Sequence, residues 1–335
     1  MAIFDNLTNK TAQTSMALTK VMNKKAHDTV LKAMPVIYAL TREIPEGQTP
    51  FTYKGTLTTS TSGSSHSIRL RGALPTVSGV TDQLAAVTPA IDANRFARAE
   101  FNLSHYNRVH HIGVQDLEFI SGPEAAACTV GLLEEELRLV MDAFKNKLAG
   151  DFHGTSDQGL GSIGGVLRAI SNNDSVGGTY IGISRADNAN AGLRGLVDGT
   201  SAAVSLARIR SAQNLIGEQT GKADLVLCGA ANYGVLQAEV DDAVRIVDQS
   251  GGWANYLGEY FKIGGTVVAL DGYCNTQRVL VLDTSSWRAV WNEKGFQAGN
   301  MSRDPNVVAA YFLPVDLFAA VVCAEPRKNL RMVTT

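Results

Sequence analysis

The segment from residue 45 to residue 79 constrains the fold most, because it has the pattern of a long β-hairpin without a core of its own. It reads PEGQTPFTYKGTLTTSTSGSSHSIRLRGALPTVSG, in which short alternating runs lie on either side of the polar tip STSGSS. Such alternation is typical of paired strands. A hairpin with so few apolar residues is stable only when another surface covers it. We therefore expect another part of this chain, or another chain, to cover the segment.

The composition is that of a folded globular protein. Of the 335 residues, 45% are hydrophobic and 19% are charged, and the formal net charge is −2. Disordered chains have fewer apolar residues than this. A protein that reads nucleic acid usually carries a basic face. We therefore expect no sequence-specific nucleic-acid binding, although the charge does not exclude contact with nucleic acid that is merely enclosed.

The sequence predicts neither a membrane segment nor disulfide bonds. The N-terminal MAIFDNLTNK lacks the basic and then apolar pattern of a signal peptide. The longest apolar run, VVAAYFLPVDLFAAVV, is broken by Pro314 and Asp316. The four cysteines lie far apart and form no C-x-x-C pair: Cys128, Cys228, Cys274 and Cys323. We interpret them as small buried residues in a reducing compartment, and we expect synthesis in a cytoplasm.

A long amphipathic helix is predicted at residues 122–149. Ser121 and Glu124 have the spacing of a capping box, and apolar residues recur at steps of three and four from Ala126 to Leu148. Gly150 is expected to end the helix. At about 1.5 Å per residue its length is roughly 40 Å, which is long for a globular domain.

Four of the six histidines flank this helix. His105 and His111 share one face of a strand predicted within residues 91–120, whereas His110 points to the other face and His153 lies beyond the helix. No neighbouring cysteine or carboxylate pair completes the three or four ligands that zinc or iron requires. We interpret these histidines as surface or interface residues, and we expect no metal and no cofactor.

The stretch GLGSIGG matches the dinucleotide pattern G-x-G-x-x-G through Gly159, Gly161 and Gly164. That pattern binds a pyrophosphate only between a strand and the N-terminus of a helix, and no strand leads into it here. We interpret it as a plain flexible loop and expect no enzyme, since no nucleophile motif is present either. A nucleotide-binding enzyme that uses Gly159–Gly164 stays as the least favoured alternative.

After residue 200 the pattern alternates between helix and strand, which defines an α/β-like subdomain near residues 200–285 within an α+β protein. Closing extended strands follow, with a turn expected from Leu313 to Asp316. The predicted elements are a helix at 201–221, a strand at 223–229, a helix at 230–242, a strand at 263–274 and a longer strand or hairpin at 278–291.

The order of these parts resembles the major capsid proteins of tailed bacteriophages that have the Hong Kong 97 fold. The resemblance covers nearly the whole chain, and its most similar stretches are LAGDFHGTSDQGLGSIGG and ADLVLCGAANYGVLQ. It implies an N-terminal arm at residues 1–48, an extended β-hairpin called the E-loop at 49–80, a peripheral domain at 81–199 with the spine helix at 122–149 and the glycine-rich loop, an axial domain at 200–285, and closing strands at 286–335 that return to the peripheral domain.

The resemblance also implies a function. Many copies would assemble, as hexamers and pentamers, into an icosahedral shell around double-stranded DNA, with a separate scaffolding protein and a portal as partners and no membrane. The shell would form in the host cytoplasm and belong to the virion. An encapsulin-like shell of a cellular nanocompartment, which has the same fold, stays open as an alternative.

Residues on the E-loop and the spine helix are the candidates for contacts between subunits. Arg69 and Arg71 lie two apart on a predicted strand and share a face that could meet a neighbour's carboxylates. The consecutive Glu134, Glu135 and Glu136 are expected to form a solvated face unless a neighbour covers them. The full set of candidates is Phe51, Tyr53, Lys54, Arg69, Arg71, Glu134, Glu135 and Arg138.

Overall fold

A computed structural model of the chain describes residues 58–60, 65–71, 96–113, 125–157, 161–172, 178–186, 192–241, 260–292, 297–298, 302–303 and 310–335. The arm expected at residues 1–48 lies outside them. The helices are α1 (Ala125–Phe152), α2 (Val166–Ile170), α3 (Leu206–Glu218) and α4 (Ala230–Asp241). The strands are β1 (Thr58–Ser60), β2 (Ser65–Arg71), β3 (Phe96–Asn102), β4 (Ser104–Gly113), β5 (Thr179–Tyr180), β6 (Ile183–Ser184), β7 (Leu196–Asp198), β8 (Leu225–Cys228), β9 (Tyr260–Ile263), β10 (Thr266–Leu270), β11 (Arg278–Leu282), β12 (Trp287–Asn292), β13 (Gln297–Ala298), β14 (Ser302–Arg303), β15 (Ala310–Cys323) and β16 (Leu330–Val333).

The first sheet is built around β15. Strand β4 runs antiparallel to β15 along residues 310–319, and β12 pairs with the end of β15. Every second residue of β15 is buried from Tyr311 to Ala319, so one face of this part of the strand is apolar, whereas Ala319 to Cys323 are buried throughout. That face joins a single hydrophobic core with α1, through Leu313, Val315, Leu317, Val140, Met141, Phe144 and Leu148.

The turn expected from Leu313 to Asp316 is wrong, because β15 continues through these residues as one strand. Pro314 lacks a backbone N–H and is tolerated only where no ladder hydrogen bond is required. It lies opposite Val109 of β4. On the other side of β15, β14 and β13 pair with residues 311–312 and 315–316, so among the described residues the pairing skips Pro314 there.

The second sheet has the strand order β7-β16-β11-β8-β10-β9 and is covered on both faces. Strand β8 reads LVLC and is buried throughout, as expected for a strand between two layers. Val226 and Cys228 face the helices α3 and α4, whereas Leu225 and Leu227 belong to the core that contains α1. The two helices and the strands predicted at 223–229 and 263–274 are confirmed here. The longer strand or hairpin predicted at 278–291 is wrong, because β11 and β12 lie in different sheets.

The last strand, β16, pairs with β11 and β7 in the second sheet rather than with β12 and β15. This differs from the return to the peripheral domain that was expected for residues 286–335, because the chain crosses between the sheets after β15. Strand β7, at residues 196–198, likewise joins the second sheet. The domain boundaries as a whole stay a prediction.

The two halves of the expected hairpin at residues 49–80 do not pair with each other within the described residues. Strand β1 lies parallel to β12, and β2 lies antiparallel to β3. Ala99 and Phe101 of β3 lie beside Leu70 and extend the apolar face of β2, and the core that contains α1 and β15 covers this face. Residues 51–57, which the predicted hairpin would pair with β2, lie outside the described residues, so the hairpin stays a prediction.

The glycine-rich stretch after α1 is packed into the core. The Ile163 N–H donates to the Tyr106 hydroxyl at 2.8 Å, and that hydroxyl donates to Oδ2 of Asp151 at 2.7 Å. The Ile163 carbonyl accepts from the Val321 N–H at 2.6 Å. A side chain at Gly165 would place its Cβ 2.2 Å from the Gly154 carbonyl oxygen. The plain flexible loop predicted from the glycine content is therefore wrong for residues 161–165.

Asn329 joins the two sheets. Its side chain is fully buried, and its Oδ1 accepts from the Asp283 N–H at 3.0 Å and from the Trp287 indole at 2.9 Å. Its Nδ2 donates to the Ser286 hydroxyl at 2.9 Å and to the Glu325 carbonyl at 3.2 Å. These partners lie where β11, β12, β15 and β16 end or begin. The hydrogen bonds of one side-chain amide therefore connect the turns that lead from one sheet to the other.

Gly150 does not end the helix, since α1 continues to Phe152. Nothing lies within 4 Å of a Cβ built on Gly150. We expect Gly150→Ala to raise the free energy of unfolding by about 0.5–1 kcal/mol, because alanine loses less backbone entropy in a helix. Chemical denaturation measures this change.

Gly182 is the matched control for that substitution, because it also has open space around its Cβ position but has a φ of +73°. Gly182→Ala is expected to destabilise the fold, since alanine is strained in the left-handed region. A destabilising Gly150→Ala would contradict the helical conformation of Gly150 and support a helix end at that residue.

Tyr106→Phe is expected to lower the free energy of unfolding by about 1–3 kcal/mol, because it leaves the buried Ile163 N–H without an acceptor. Denaturation of this variant beside Tyr311→Phe measures the effect. Tyr311 is buried as well, yet within the described residues its hydroxyl makes no hydrogen bond. Equal losses in the two variants would mean that the hydrogen bonds of Tyr106 contribute nothing.

Candidate functional site

The two-stranded sheet of β2 and β3 has one buried face and one charged face. Leu70, Ala99 and Phe101 are buried in the core. Arg69 and Arg98 lie on the opposite face, and both are exposed. The strand period of two therefore separates a packing face from a surface on which charged side chains are available for contacts.

Arg69 lies directly opposite Arg98 in the strand register. Like charges in this position destabilise a strand pair. The Arg98 guanidinium is 3.8 Å from Glu100, whereas no carboxylate in the described part of the chain pairs with Arg69. Arg71 occupies the last position of β2. The sheet thus presents an excess of positive charge to its surroundings.

Helix α1 presents Glu135 and Arg138 on its outer side. Both side chains are exposed, and they are 4.0 Å apart, a pair that contributes little to stability in water. Glu134 lies in the same helix. Glu136 turns inward and lies 2.6 Å from Nε2 of His110. The predicted solvated face is therefore wrong for Glu136 and holds for Glu135.

The described candidates for subunit contacts lie on two separate elements, α1 and β2. The structure brings Glu135 and Arg138 together on α1 and places Arg69 and Arg71 on β2, without contact between the two groups in the described residues. Phe51, Tyr53 and Lys54 lie outside the described residues. The role of all eight residues in subunit contacts stays a prediction.

His105, His110 and His153 lie within hydrogen-bonding distance of carboxylates, and the surface position expected for the four histidines is wrong for His153. His105 is 2.7 Å from Asp316 and stacks on Phe318 with ring centroids 4.3 Å apart. His153, which is largely buried, is 2.8 Å from Asp271 and joins the end of α1 to the loop after β10. The predicted strand faces are confirmed, because His105 and His111 are exposed and His110 is half-buried.

The glycine stretch offers no free cradle for a phosphate within residues 161–165. Besides Ile163, the Gly165 N–H donates to the Ser156 carbonyl at 2.8 Å, and the Gly164 N–H lies 3.3 Å from the Ser162 hydroxyl. A pyrophosphate needs backbone N–H groups that are still available. Gly159 lies outside the described residues. This geometry speaks against the nucleotide-binding alternative.

Arg185 is a structural residue that sequence reasoning missed. Its side chain is fully buried and donates to the carbonyl oxygens of Leu193, Arg168 and Ala169 at 2.6–2.8 Å. It also lies over the Tyr180 ring at 4.8 Å. Burial lowers the pKa of Arg185 to about 10, so it keeps its charge at neutral pH. No local signal in GISRADN distinguishes it from a surface arginine.

Three cysteines are free and buried, as the sequence predicts. Burial raises the pKa of the Cys228, Cys274 and Cys323 thiols to about 12, which makes them unreactive near neutral pH. Within the described ranges, no three His, Cys, Asp or Glu side chains converge in a way that would hold a metal ion. None of the described helices has both the length and the apolar character to cross a membrane.

A comparison with protein-family models gave no match, and a comparison with curated proteins gave none. The solved structures do match. The chain from the Cyanophage A-1(L) capsid asymmetric unit aligns with a TM-score of 0.60 and 11% identity over 83% of this chain and 89% of that chain. The capsid chain of a native GTA particle gives 0.52 and 10% over 86% and 91%.

The SrpI encapsulin of Synechococcus elongatus PCC 7942 aligns with a TM-score of 0.48 and 11% identity over 77% of this chain and 92% of that chain. The two matches with higher TM-scores extend over more than four fifths of both chains. The fold expected from the order of the parts is confirmed, and this chain has the Hong Kong 97 fold found in the major capsid proteins of tailed bacteriophages.

Proposed function

We propose that the protein is a major capsid protein, many copies of which assemble into an icosahedral shell around the double-stranded DNA of a tailed bacteriophage. The observation that carries the proposal is the likeness to the Cyanophage A-1(L) chain, which is part of a capsid asymmetric unit and aligns over 83% of this chain. The GTA chain, which also comes from a capsid, supports it.

The charged surfaces of the chain agree with assembly from identical copies. Arg69 lies exposed without a carboxylate partner in the described residues, and Glu135 lies exposed on a different element. Surfaces of opposite charge at different places on one molecule favour heterologous contacts, which close into rings and shells. Hexamers and pentamers of this chain are the proposed units, and the virion is the proposed location.

The shell is proposed to enclose DNA without recognising its sequence. The net charge of −2 supplies no general attraction to phosphates. The shell would form in the host cytoplasm with a separate scaffolding protein and a portal as partners. A nucleotide-binding enzyme that uses the glycine stretch is disfavoured, because the N–H groups of Ile163 and Gly165 already donate to protein atoms.

Expression of the full chain, alone and together with the products of neighbouring genes, tests this function. We expect closed shells of uniform size in negative-stain microscopy, because heterologous contacts between identical copies give closed assemblies when the rotation between copies closes, and open filaments otherwise. Neighbouring portal and terminase genes, and DNA inside native particles, would distinguish a bacteriophage from a cellular nanocompartment with an enzyme as cargo.

Light scattering over a range of protein and salt concentrations tests whether the chain assembles at all. Compact single molecules under every condition, both alone and with the neighbouring gene products, would contradict a shell protein. The thermal unfolding transition of the same sample verifies that the single molecules are folded.

A further inference from the structure

We propose that a cavity at the end of α1 binds a monocarboxylate that carries a small apolar group, with Arg278 as the residue that holds the carboxylate. The cavity has a volume of about 260 Å³ and lies between the end of α1, helix α2 and the segment 273–280. It is separate from the candidate surfaces for subunit contacts, and the inference does not depend on the proposed shell function.

Arg278 supplies the positive charge of this cavity. Leu280, two residues along β11, packs into the core that contains α1, whereas Val279 packs into the core of α3 and α4. Alternation along the strand therefore directs Arg278 to the same side as Leu280, toward α1 and the cavity. The guanidinium is half-buried there, and within the described residues it forms no hydrogen bond or ion pair.

This lack of a partner distinguishes Arg278 from the other arginines that the structure describes as buried or half-buried. Each of those donates to a protein oxygen or pairs with a carboxylate, as Arg208 does with Asp198 at 2.7 Å. A cation removed from water is costly unless an acceptor or an opposite charge compensates it. An anion from outside the described chain would supply the missing acceptor.

The inner walls of the cavity suit a small apolar group. Leu167 of α2 and Leu280 of β11 line it and are almost fully buried, and Gly150 of α1 adds a wall without a side chain. An apolar cavity of about 150 Å³ is large enough to hold benzene. A cavity of about 260 Å³ therefore has room for a ring or a short aliphatic chain together with a carboxylate.

The rim of the cavity provides access and a second donor. Tyr273 and Asn275 line the cavity and are exposed, so a ligand can enter beside them. The Tyr273 hydroxyl donates to Asn146 and thereby ties this rim to α1. Oδ1 of Asn275 accepts from the Gln277 N–H at 2.9 Å, and its Nδ2 makes no hydrogen bond within the described residues. That amide can donate to an anion beside Arg278.

The surrounding charges favour a ligand with one negative charge. Oδ2 of Asp271 lies 2.8 Å from Nε2 of His153, which lines the cavity, so a carboxylate is already close. The C-terminal end of α1 adds partial negative charge at the same place. A phosphate dianion would bring a second charge toward these groups, whereas a carboxylate is balanced by one guanidinium and forms two parallel hydrogen bonds with it.

Calorimetric titration of the full chain with sodium benzoate tests the site. Benzamide is the neutral ligand of similar shape, and inorganic phosphate at about pH 8 is the ligand with close to two negative charges. Sodium chloride keeps the ionic strength constant. These three ligands separate the contribution of the charge from that of the apolar ring without any change to the protein.

Arg278→Gln removes the charge from a side chain that has no partner in the described residues, so the fold should persist. Arg210→Gln is the matched control, because it removes the same charge from an exposed position on α3, on the other side of the second sheet. Far-ultraviolet circular dichroism and thermal midpoints verify that both variants are folded.

We expect saturable binding of one benzoate per chain. Arg278→Gln should bind benzoate about tenfold more weakly or worse, and the unaltered chain should bind benzamide with a similar loss, because both lack the charge-assisted hydrogen bonds. Arg210→Gln should bind benzoate as the unaltered chain does, and phosphate should bind more weakly than benzoate.

Equal affinity of Arg278→Gln and the unaltered chain for benzoate would overturn the proposal, as would equal affinity for benzamide or no saturable binding. Tighter binding of phosphate than of benzoate would overturn the assignment to a monocarboxylate.

Titration of assembled particles distinguishes two sources of the carboxylate. Equal binding to particles and to single chains would support a free ligand. Binding that is lost in particles, together with weaker assembly of Arg278→Gln, would support an acidic side chain of a second copy as the natural occupant. Failure of the chain to assemble would contradict the shell function and leave the titration of single chains as the test of the cavity.

Discussion

The buried amide of Asn329 is the interaction on which the two sheets depend. A buried polar group is costly unless it is hydrogen-bonded, and this amide is bonded on both its oxygen and its nitrogen. Its partners belong to the turns through which the chain passes from one sheet to the other. Correct placement of these turns therefore fixes both sheets at once.

The two sheets share one core because of this crossing. One face of the second sheet, with Leu225 and Leu227, packs with α1 and β15, and its other face packs with α3 and α4. The His153–Asp271 pair adds a polar tie between the end of α1 and the same sheet. This layered arrangement leaves the outer side of α1 and the charged face of β2 and β3 outside the core.

The sequence predicted the elements whose hydrophobic pattern repeats over a few residues. The period of α1 and the buried run of β8 are visible in sequence, because helix and strand periods repeat over a few residues. The end of α1 and the turn at Pro314 were predicted wrongly, and the pairing of β1 with β12 and of β2 with β3 was missed. Each of these depends on a strand or a core residue that is distant in sequence.

In the candidate site, too, the sequence predicted local features and missed those that depend on distant residues. Alternation places Arg69 on an outer face. Its position opposite Arg98 depends on the register between β2 and β3, and no short hairpin turn joins these strands to fix that register. The burial of Arg185 likewise depends on the carbonyl oxygens of Arg168 and Ala169, which no motif reveals. A single residue, Leu103, separates β3 from β4, so the two-stranded sheet of β2 and β3 is connected directly to the sheet that packs on α1.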